Sequence, residues 1–271
     1  MIYSIITINY NNKNGLRKTI QSVIQQTFQD YEFIVIDGNS NDGSDIILKE
    51  FDDHINYWVS EPDKGIYNAM NKGIIQAHGD YLIFMNSGDS FYNPDVLKTV
   101  IPFLKSDIVE GILYKTKRKK FTILPKSNPT MMLFYEGGLD HQACFIRKSL
   151  FKDSLYDESF KIAADWKFFL QKVVFENYTL SYMPVVVASY EEGGISEDKS
   201  IDAIHKSERA DVLSSFLPPR VLADYERFAH KESPVLDLIP EFNRTYRLQK
   251  LIVVTIKFII CVYKLIYPHK K

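Results

Sequence analysis

Cysteine is scarce: Cys144 and Cys261 are the two in 271 residues. Two cysteines make neither a four-ligand zinc site nor a disulfide scaffold, so a reduced, cytoplasmic setting is expected. An excess of one charge is also missing. There are 33 basic against 34 acidic residues, net −1. That balance speaks against non-specific nucleic-acid binding, so no nucleic-acid partner is expected. Residues 1–10 lack the basic start and small-residue cleavage site of a secretory leader. No G-x-G-x-x-G follows the first apolar run, where Asn9-Tyr10-Asn11-Asn12-Lys13-Asn14 stands. This argues against a dinucleotide-dependent oxidoreductase, and equally against a nucleotidyltransferase that needs a glycine-rich basic loop there. What is present is apolar: 45% hydrophobic and 14% aromatic residues. That suffices for a sizeable core, in one large domain or two small ones.

Residues 2–8 form a β-branched run that ends in a polar turn, which predicts a buried strand. Leu16, Ile20, Val23 and Ile24 follow at helical spacing. The alternation repeats: strands at 31–36, 55–59 and 81–85, and helices at 44–51, 65–77 and 95–104. Four strand–helix units imply an α/β fold with a mostly parallel sheet covered on both faces. Beyond residue 105 the rhythm changes. Residues 108–114 and 121–124 flank Lys115-Thr116-Lys117-Arg118-Lys119-Lys120, a hairpin with a basic tip. Helices are expected over 163–176, 199–217 and 219–231, and a strand over 182–190.

In an open parallel sheet, ligands bind beyond the carboxyl ends of the strands. Polar clusters stand at each of those ends: Asn9-Tyr10-Asn11, Asp37-Gly38-Asn39-Ser40, Glu61-Pro62-Asp63-Lys64-Gly65 and Asn86-Ser87-Gly88-Asp89. Any one of them reads equally as an ordinary turn. Their joint occurrence points to a site.

The runs S-I-I-T-I-N-Y-N, I-V-I-D-G-N-S-N-D-G-S, S-E-P-D-K-G-I-Y-N-A-M-N-K-G-I and G-D-Y-L-I-F-M-N-S-G-D resemble the family 2 glycosyltransferases of GT-A fold. The branch resembled builds bacterial O-antigen, capsule and similar surface polysaccharides. The resemblance is strong over residues 2–95, weaker to about 190, and absent beyond. It implies an inverting transferase moving a sugar from a nucleotide donor to a glycan hydroxyl. Thr7, Asn9 and Asp37 would hold base and ribose, and a carboxylate at Asp37 suits the uracil N–H of a UDP-sugar. Asp63, Lys64 and Asn71 occupy further nucleotide positions, although Lys64 also reads as a solvated surface lysine. The run Asn86-Ser87-Gly88-Asp89 departs from the acid-rich family motif, leaving Asp89 as the expected ligand of Mn²⁺ or Mg²⁺. Asp165 in Ala164-Asp165-Trp166 takes the position of the general base, its alternative being a helix-start carboxylate. Gly137, Gly138, His141 and Trp166 would line the sugar and acceptor pocket, with His141 alternatively a core histidine. The depleted metal motif keeps a second reading open, a non-catalytic sugar-nucleotide or glycan-binding module.

These readings divide the chain into a nucleotide-sugar-binding half (1–105), an acceptor-binding half (106–195) and a helical extension (196–271). In the expected terminal helix over 244–267, Lys250, Lys257 and Lys264 recur every seven residues and form one narrow stripe. Lysines spread along a span are costly in hydrocarbon, so a helix lying in the membrane interface fits better than one crossing it. Packing on the protein itself or a dimer contact is the alternative. A lipid-linked acceptor and a peripheral location on the inner face of the cell membrane would follow.

Overall fold

The computed structural model describes residues 1–125, 128–192, 201–229 and 246–266. The chain forms two compact units, 1–216 and 217–271. The first is built on one nine-stranded sheet in the order β3-β2-β1-β4-β8-β6-β9-β5, with β7 paired to β6. Strands β1 (Tyr3–Asn9), β2 (Tyr31–Asp37), β3 (Tyr57–Ser60) and β4 (Tyr81–Phe84) are mutually parallel. They are linked by α1 (Lys13–Ile24), α2 (Ser44–Glu50) and α3 (Ile66–Gln76). The apolar runs explain this half: β1, β2 and β4 are buried on both faces, which a helix-covered parallel sheet requires. Gly73 lets α3 lie against β1, since a Cβ there would meet Ile6 Cγ2 at 2.5 Å. The α1 start is capped as its sequence suggests, with Asn12 Oδ1 accepting from the Gly15 N–H.

The second half is mixed. β8 (Cys144–Arg147) runs antiparallel to β4 and to β6 (Ile108–Lys115). β6 is parallel to β9 (Leu180–Tyr190), and β5 (Ser90–Phe91) closes the edge antiparallel to β9. The expected hairpin is present as β6 and β7 (Lys120–Phe121). α4 (Val96–Val100) follows β5, and α5 (Met131–Glu136) is a short helix absent from the expectation. The helix expected over 163–176 is α6 (Ala164–Leu170), continued by a π-turn over Gln171–Phe175. α7 (Asp202–Phe216) completes the first unit.

These directions have one consequence for the site. The carboxyl ends of β1–β4, β6 and β9 open on the same edge of the sheet. β8 starts there, so the segment before it, including His141, is delivered to that edge.

The second unit holds α8 (Pro219–Ala229) and α9 (Tyr246–Ile266). Among the described residues no helix is long and apolar enough to cross a membrane. Residues 199–200, 230–231, 244–245 and 267 of the expected helices lie outside the described residues.

Candidate active site

The β1 and β2 ends form a closed polar nest. Asp37 is fully buried, and its carboxylate accepts from Asn9 Nδ2 (2.7 Å), Ser40 Oγ (2.6 Å), the Ser40 N–H (3.0 Å) and Ser60 Oγ (2.5 Å). Asn9 Nδ2 also reaches Ser44 Oγ at 3.0 Å, and Ser87 Oγ donates to Asn9 Oδ1 at 2.7 Å. The nest is thereby tied to the turn after β4. Thr7 is buried and staples β1 by donating to the Met85 carbonyl at 2.6 Å. Beside the nest Gly38 is closely covered, since a Cβ there would lie 2.4 Å from Asp63 Oδ2 and 3.2 Å from the Tyr10 ring. Tyr10 is 67% exposed, so its face is available for a planar ring to stack on. Sequence reasoning passed over Tyr10. The signal was an aromatic residue inside a polar strand-end cluster, where no packing need explains it.

Lys64 stands exposed at the rim, its N–H bonded to Asn68 Oδ1. Asp63 Oδ1 closes the turn onto the Gly65 N–H at 2.9 Å. Asn71 is buried and engaged elsewhere. Its amide holds both the N–H and the carbonyl of Tyr156, and also meets Glu158.

The turn Asn86-Ser87-Gly88-Asp89 carries a different kind of group. Asp89 is 5% exposed, and Oδ1 accepts from the Glu191 N–H at 2.9 Å. Burial raises its pKa to about 6, although the Glu191 N–H and the charges of His141 and Lys18 work against that rise. Asn86 Oδ1 is buried with no hydrogen-bond partner, while Asn86 Nδ2 lies 3.5 Å from His141 Nε2.

Asp165 opens α6 and faces this turn through His141. Its Oδ2 lies 2.9 Å from His141 Nδ1, and its Oδ1 accepts from the Tyr67 hydroxyl at 2.8 Å. Burial opposes charge on Asp165, yet the hydrogen bond and charge of His141 and the Tyr67 bond hold it below the usual carboxylate range. Burial likewise opposes charge on His141, but Asp165, with Asp89 and Asp140 beyond it, raises its pKa. Asp165, His141 and Asp89 therefore act as one coupled cluster.

The segment leading to His141 is held from below. Trp166 Nε1 donates to the carbonyls of Gly137 (2.8 Å) and Phe134 (3.1 Å). Gly138 lies flat on the indole, where a Cβ would come within 2.7 Å of Trp166 Cδ1. Glu110 on β6 accepts from the Asp140 N–H at 2.8 Å, and burial pushes its pKa up to about 8. On α7, Glu208 collects the N–H groups of Lys161, Ile162 and Ala163 at 2.6–3.0 Å, bracing the start of α6. Tyr67, Glu110 and Glu208 were not legible in the sequence, because each is recruited across more than 29 residues.

Chemically, the edge offers a saturated polar nest beside the exposed Tyr10 ring, a buried carboxylate with one uncommitted oxygen, and a carboxylate–imidazole pair. Known proteins share this arrangement of elements. S. aureus TarS 1–349, solved in complex with UDP-GlcNAc, superposes with TM-score 0.64 at 19% identity, over 93% of this chain and 78% of that one. The mannosyltransferase PcManGT from Pyrobaculum calidifontis, in complex with GDP-Man and Mn²⁺, gives 0.58 at 13% identity, over 99% and 88%. This chain spans 43% of the longer S. aureus TarS structure. These likenesses establish the GT-A fold. In sequence, an uncharacterized glycosyltransferase of Mycobacterium tuberculosis is 34% identical over 74% of this chain and 79% of its own length. A PGL/p-HBAD biosynthesis glycosyltransferase of Mycobacterium bovis is 33% identical over 72% and 79%. The model of Glycosyl transferase family 2 matches residues 4–172, the stretch that carries the nest, the Asp89 turn and Asp165. The chain thus belongs to family 2 of the glycosyltransferases and is a glycosyltransferase.

Proposed function

We propose that the enzyme inverts the donor anomeric carbon. It would transfer a sugar from a UDP-sugar to a hydroxyl of a lipid-linked glycan acceptor during assembly of a bacterial surface polysaccharide. The observation that carries this reading is the Asp165–His141 pair, set on the same sheet edge as the Asn9–Asp37 nest. An inverting transfer needs a base opposite the leaving group. In that step Asp165 takes the acceptor hydroxyl proton and the acceptor oxygen bonds to the anomeric carbon. The bond to the diphosphate oxygen breaks, its electron pair leaving with the diphosphate. Each Asp165 oxygen already accepts one hydrogen bond, from His141 or Tyr67, so the incoming proton goes to the remaining lone pair of one of them. Thr7, Asn9, Asp37 and Asp63 shape the nucleotide slot, Tyr10 stacks on the base, and Lys64 meets phosphate as a point charge. Asn71 contributes by fixing the 156–158 loop to α3. Gly137, Gly138 and Trp166 shape the acceptor side.

The family implies a divalent metal. Among the described residues no group of three His, Cys, Asp or Glu could hold one. The donor set that remains is nevertheless oxygen: the second Asp89 oxygen and the orphaned Asn86 Oδ1. That suits Mn²⁺ or Mg²⁺ completing its shell with diphosphate and water. When bound, such an ion neutralises charge on the leaving diphosphate.

For the membrane, α9 supports an interfacial placement. Leu251, Val254, Phe258 and Ile259 are exposed along with Lys250 and Lys257. The side chain of Lys264 lies outside the described residues. A second reading, a binding module without catalysis, is favoured by the single acid of the Asp89 turn. Incubation with UDP-sugars and Mn²⁺ separates the two. A transferase releases UDP and, with acceptor, gives product of inverted anomeric configuration by NMR. A binding module releases none.

A further inference from the structure

The basic hairpin has no part in the chemistry above. From Gly111 to Tyr135 the chain has no acidic residue and six basic ones: Lys115, Lys117, Arg118, Lys119, Lys120 and Lys126. In a chain of net charge −1, that is a strong local segregation. The hairpin is well braced. Thr122 exchanges two hydrogen bonds with Leu113, one from its N–H to the Leu113 carbonyl (2.8 Å) and one at its hydroxyl from the Leu113 N–H (2.9 Å). The Arg118 backbone and side chain both engage Glu192. Lys117, Lys119 and Lys120 are exposed.

Beside these lysines lies an aromatic cluster that is not a core. Tyr92, Tyr114 and Phe121 pack with ring centroids 4.9–6.0 Å apart, yet Tyr92 and Phe121 are exposed and Ile123 is 92% exposed. Lysines on an edge strand such as β7 can serve simply to discourage strand addition. An exposed Ile and Phe next to them would defeat that purpose. A polyanion such as nucleic acid would use the charges but leaves the aliphatic side chain without a role. An anionic lipid surface uses both, with cations at the headgroups and aromatic and aliphatic groups at the acyl boundary.

The hairpin's place in the fold adds to this. Tyr114 and Lys115 pair with Ser189 and Tyr190 of β9, and the next residue, Glu191, gives its N–H to Asp89. The basic tip therefore projects from the edge that carries the site. We infer that the β6–β7 hairpin is a membrane-docking surface in its own right, binding anionic bilayers through Lys117, Lys119 and Lys120 with Phe121 and Ile123 inserted. It goes beyond the reading above and does not depend on α9. It relies on a lipid-borne acceptor only for its purpose, since docking would hold the sheet edge against the surface where such an acceptor lies.

The test uses the full chain with vesicles of phosphatidylcholine, with and without phosphatidylglycerol, at low salt. The wild type should sediment with the anionic vesicles. Lys117→Glu/Lys119→Glu/Lys120→Glu should lower partitioning roughly 100-fold, at about fivefold per basic residue. Phe121→Ser/Ile123→Ser should lower it roughly tenfold, from lost apolar burial. UDP binding, unchanged in both, reports that the fold is intact. Should a charge-reversed chain misfold, Ile123→Trp in the otherwise native hairpin gives the same answer, its emission shifting blue on anionic vesicles. Partitioning equal to wild type in both variants, or no blue shift, overturns the inference and leaves the glycosyltransferase reading untouched. So does binding that ignores Phe121 and Ile123 and is competed away by single-stranded DNA. A wild type that fails to bind UDP would sink the nucleotide reading while the vesicle result still stands.

Discussion

Two regions of the first unit use polar groups in opposite ways. Around Asp37 every polar atom is answered: four donors converge on one carboxylate, and Asn9 is used at both ends of its amide. Around Asp89, Glu110 and Asn86 the accounts stay open. One carboxyl is held near pKa 6, another near 8, and an amide oxygen and the Tyr182 hydroxyl are buried without partners. A saturated nest is rigid and inert, and suits recognition of a ligand that must be held unchanged. Unsatisfied or shifted groups hold free energy that a ligand or proton can release, which suits chemistry.

This contrast breaks most sharply at Asp165. Asp165→Asn keeps the shape and removes the proton acceptor, so transfer should fall by roughly 10²–10⁴ while UDP-sugar affinity stays near normal. Steady-state kinetics and calorimetry on one preparation measure both, and transfer at the wild-type rate would move the base to Glu136 or Asp140. Next in size is Asp89. Its replacement by Ala should cost on the order of 100-fold in transfer, and excess chelator should abolish activity of the wild type. Full activity in chelator would dissolve the assignment of Asp89 to a metal. On the saturated side the effect should be on binding. Asp37→Ala should weaken UDP affinity at least tenfold, about 1.4 kcal/mol, because the walls of the slot lose their anchor. Unchanged affinity would show that the nest is only a fold element.

The mildest effect concerns stability and pH. Glu110 has an ordinary pKa of 4.5 and about 8 in the folded chain, so the folded state holds this proton more tightly. Its burial is harmless below about pH 4.5. Stability is lost as pH rises from there through 8, and the loss levels off above. Glu110→Gln keeps an oxygen for the Asp140 N–H and removes the titration. Its melting temperature should exceed that of the wild type by a few degrees at pH 8–9, with the gap closing toward pH 4.5. A gap independent of pH would mean that folding leaves the Glu110 pKa at its ordinary value.

The legibility of the chain follows the same division. β1, α1, β2, α2, α3 and β4 were readable because the apolar pattern of each is set by burial against a sheet or helix and each is bounded by polar turns. Ser90–Phe91 is a strand only because β9 pairs with it, and two residues carry no period. Met131–Glu136 is under two turns long, too short for helical periodicity to show. The site divides likewise. Asp37, Asp89 and Asp165 lie in local motifs, and the structure puts all three along one sheet edge. Tyr67 lies four residues before Asn71 on the same helix, but its hydroxyl matters only because Asp165 arrives from 98 residues away. Asn71 shows the reverse: a polar residue in a motif whose amide is occupied by the fold.

The Glu208 clamp bears on the order in which the protein becomes active during synthesis. The start of α6, which carries Asp165, has its N–H groups gathered by a carboxylate from α7, and Arg209 from the same helix lies 4.4 Å over the Trp166 ring. A nascent chain released only to residue 190 already contains the whole sheet, the nest and Asp89. It lacks the brace that fixes the acid–base pair. With Asp165 in its proposed role, α7 should have to emerge, to Phe216, before transfer begins, and nucleotide binding should mature earlier on the emerging chain than turnover does.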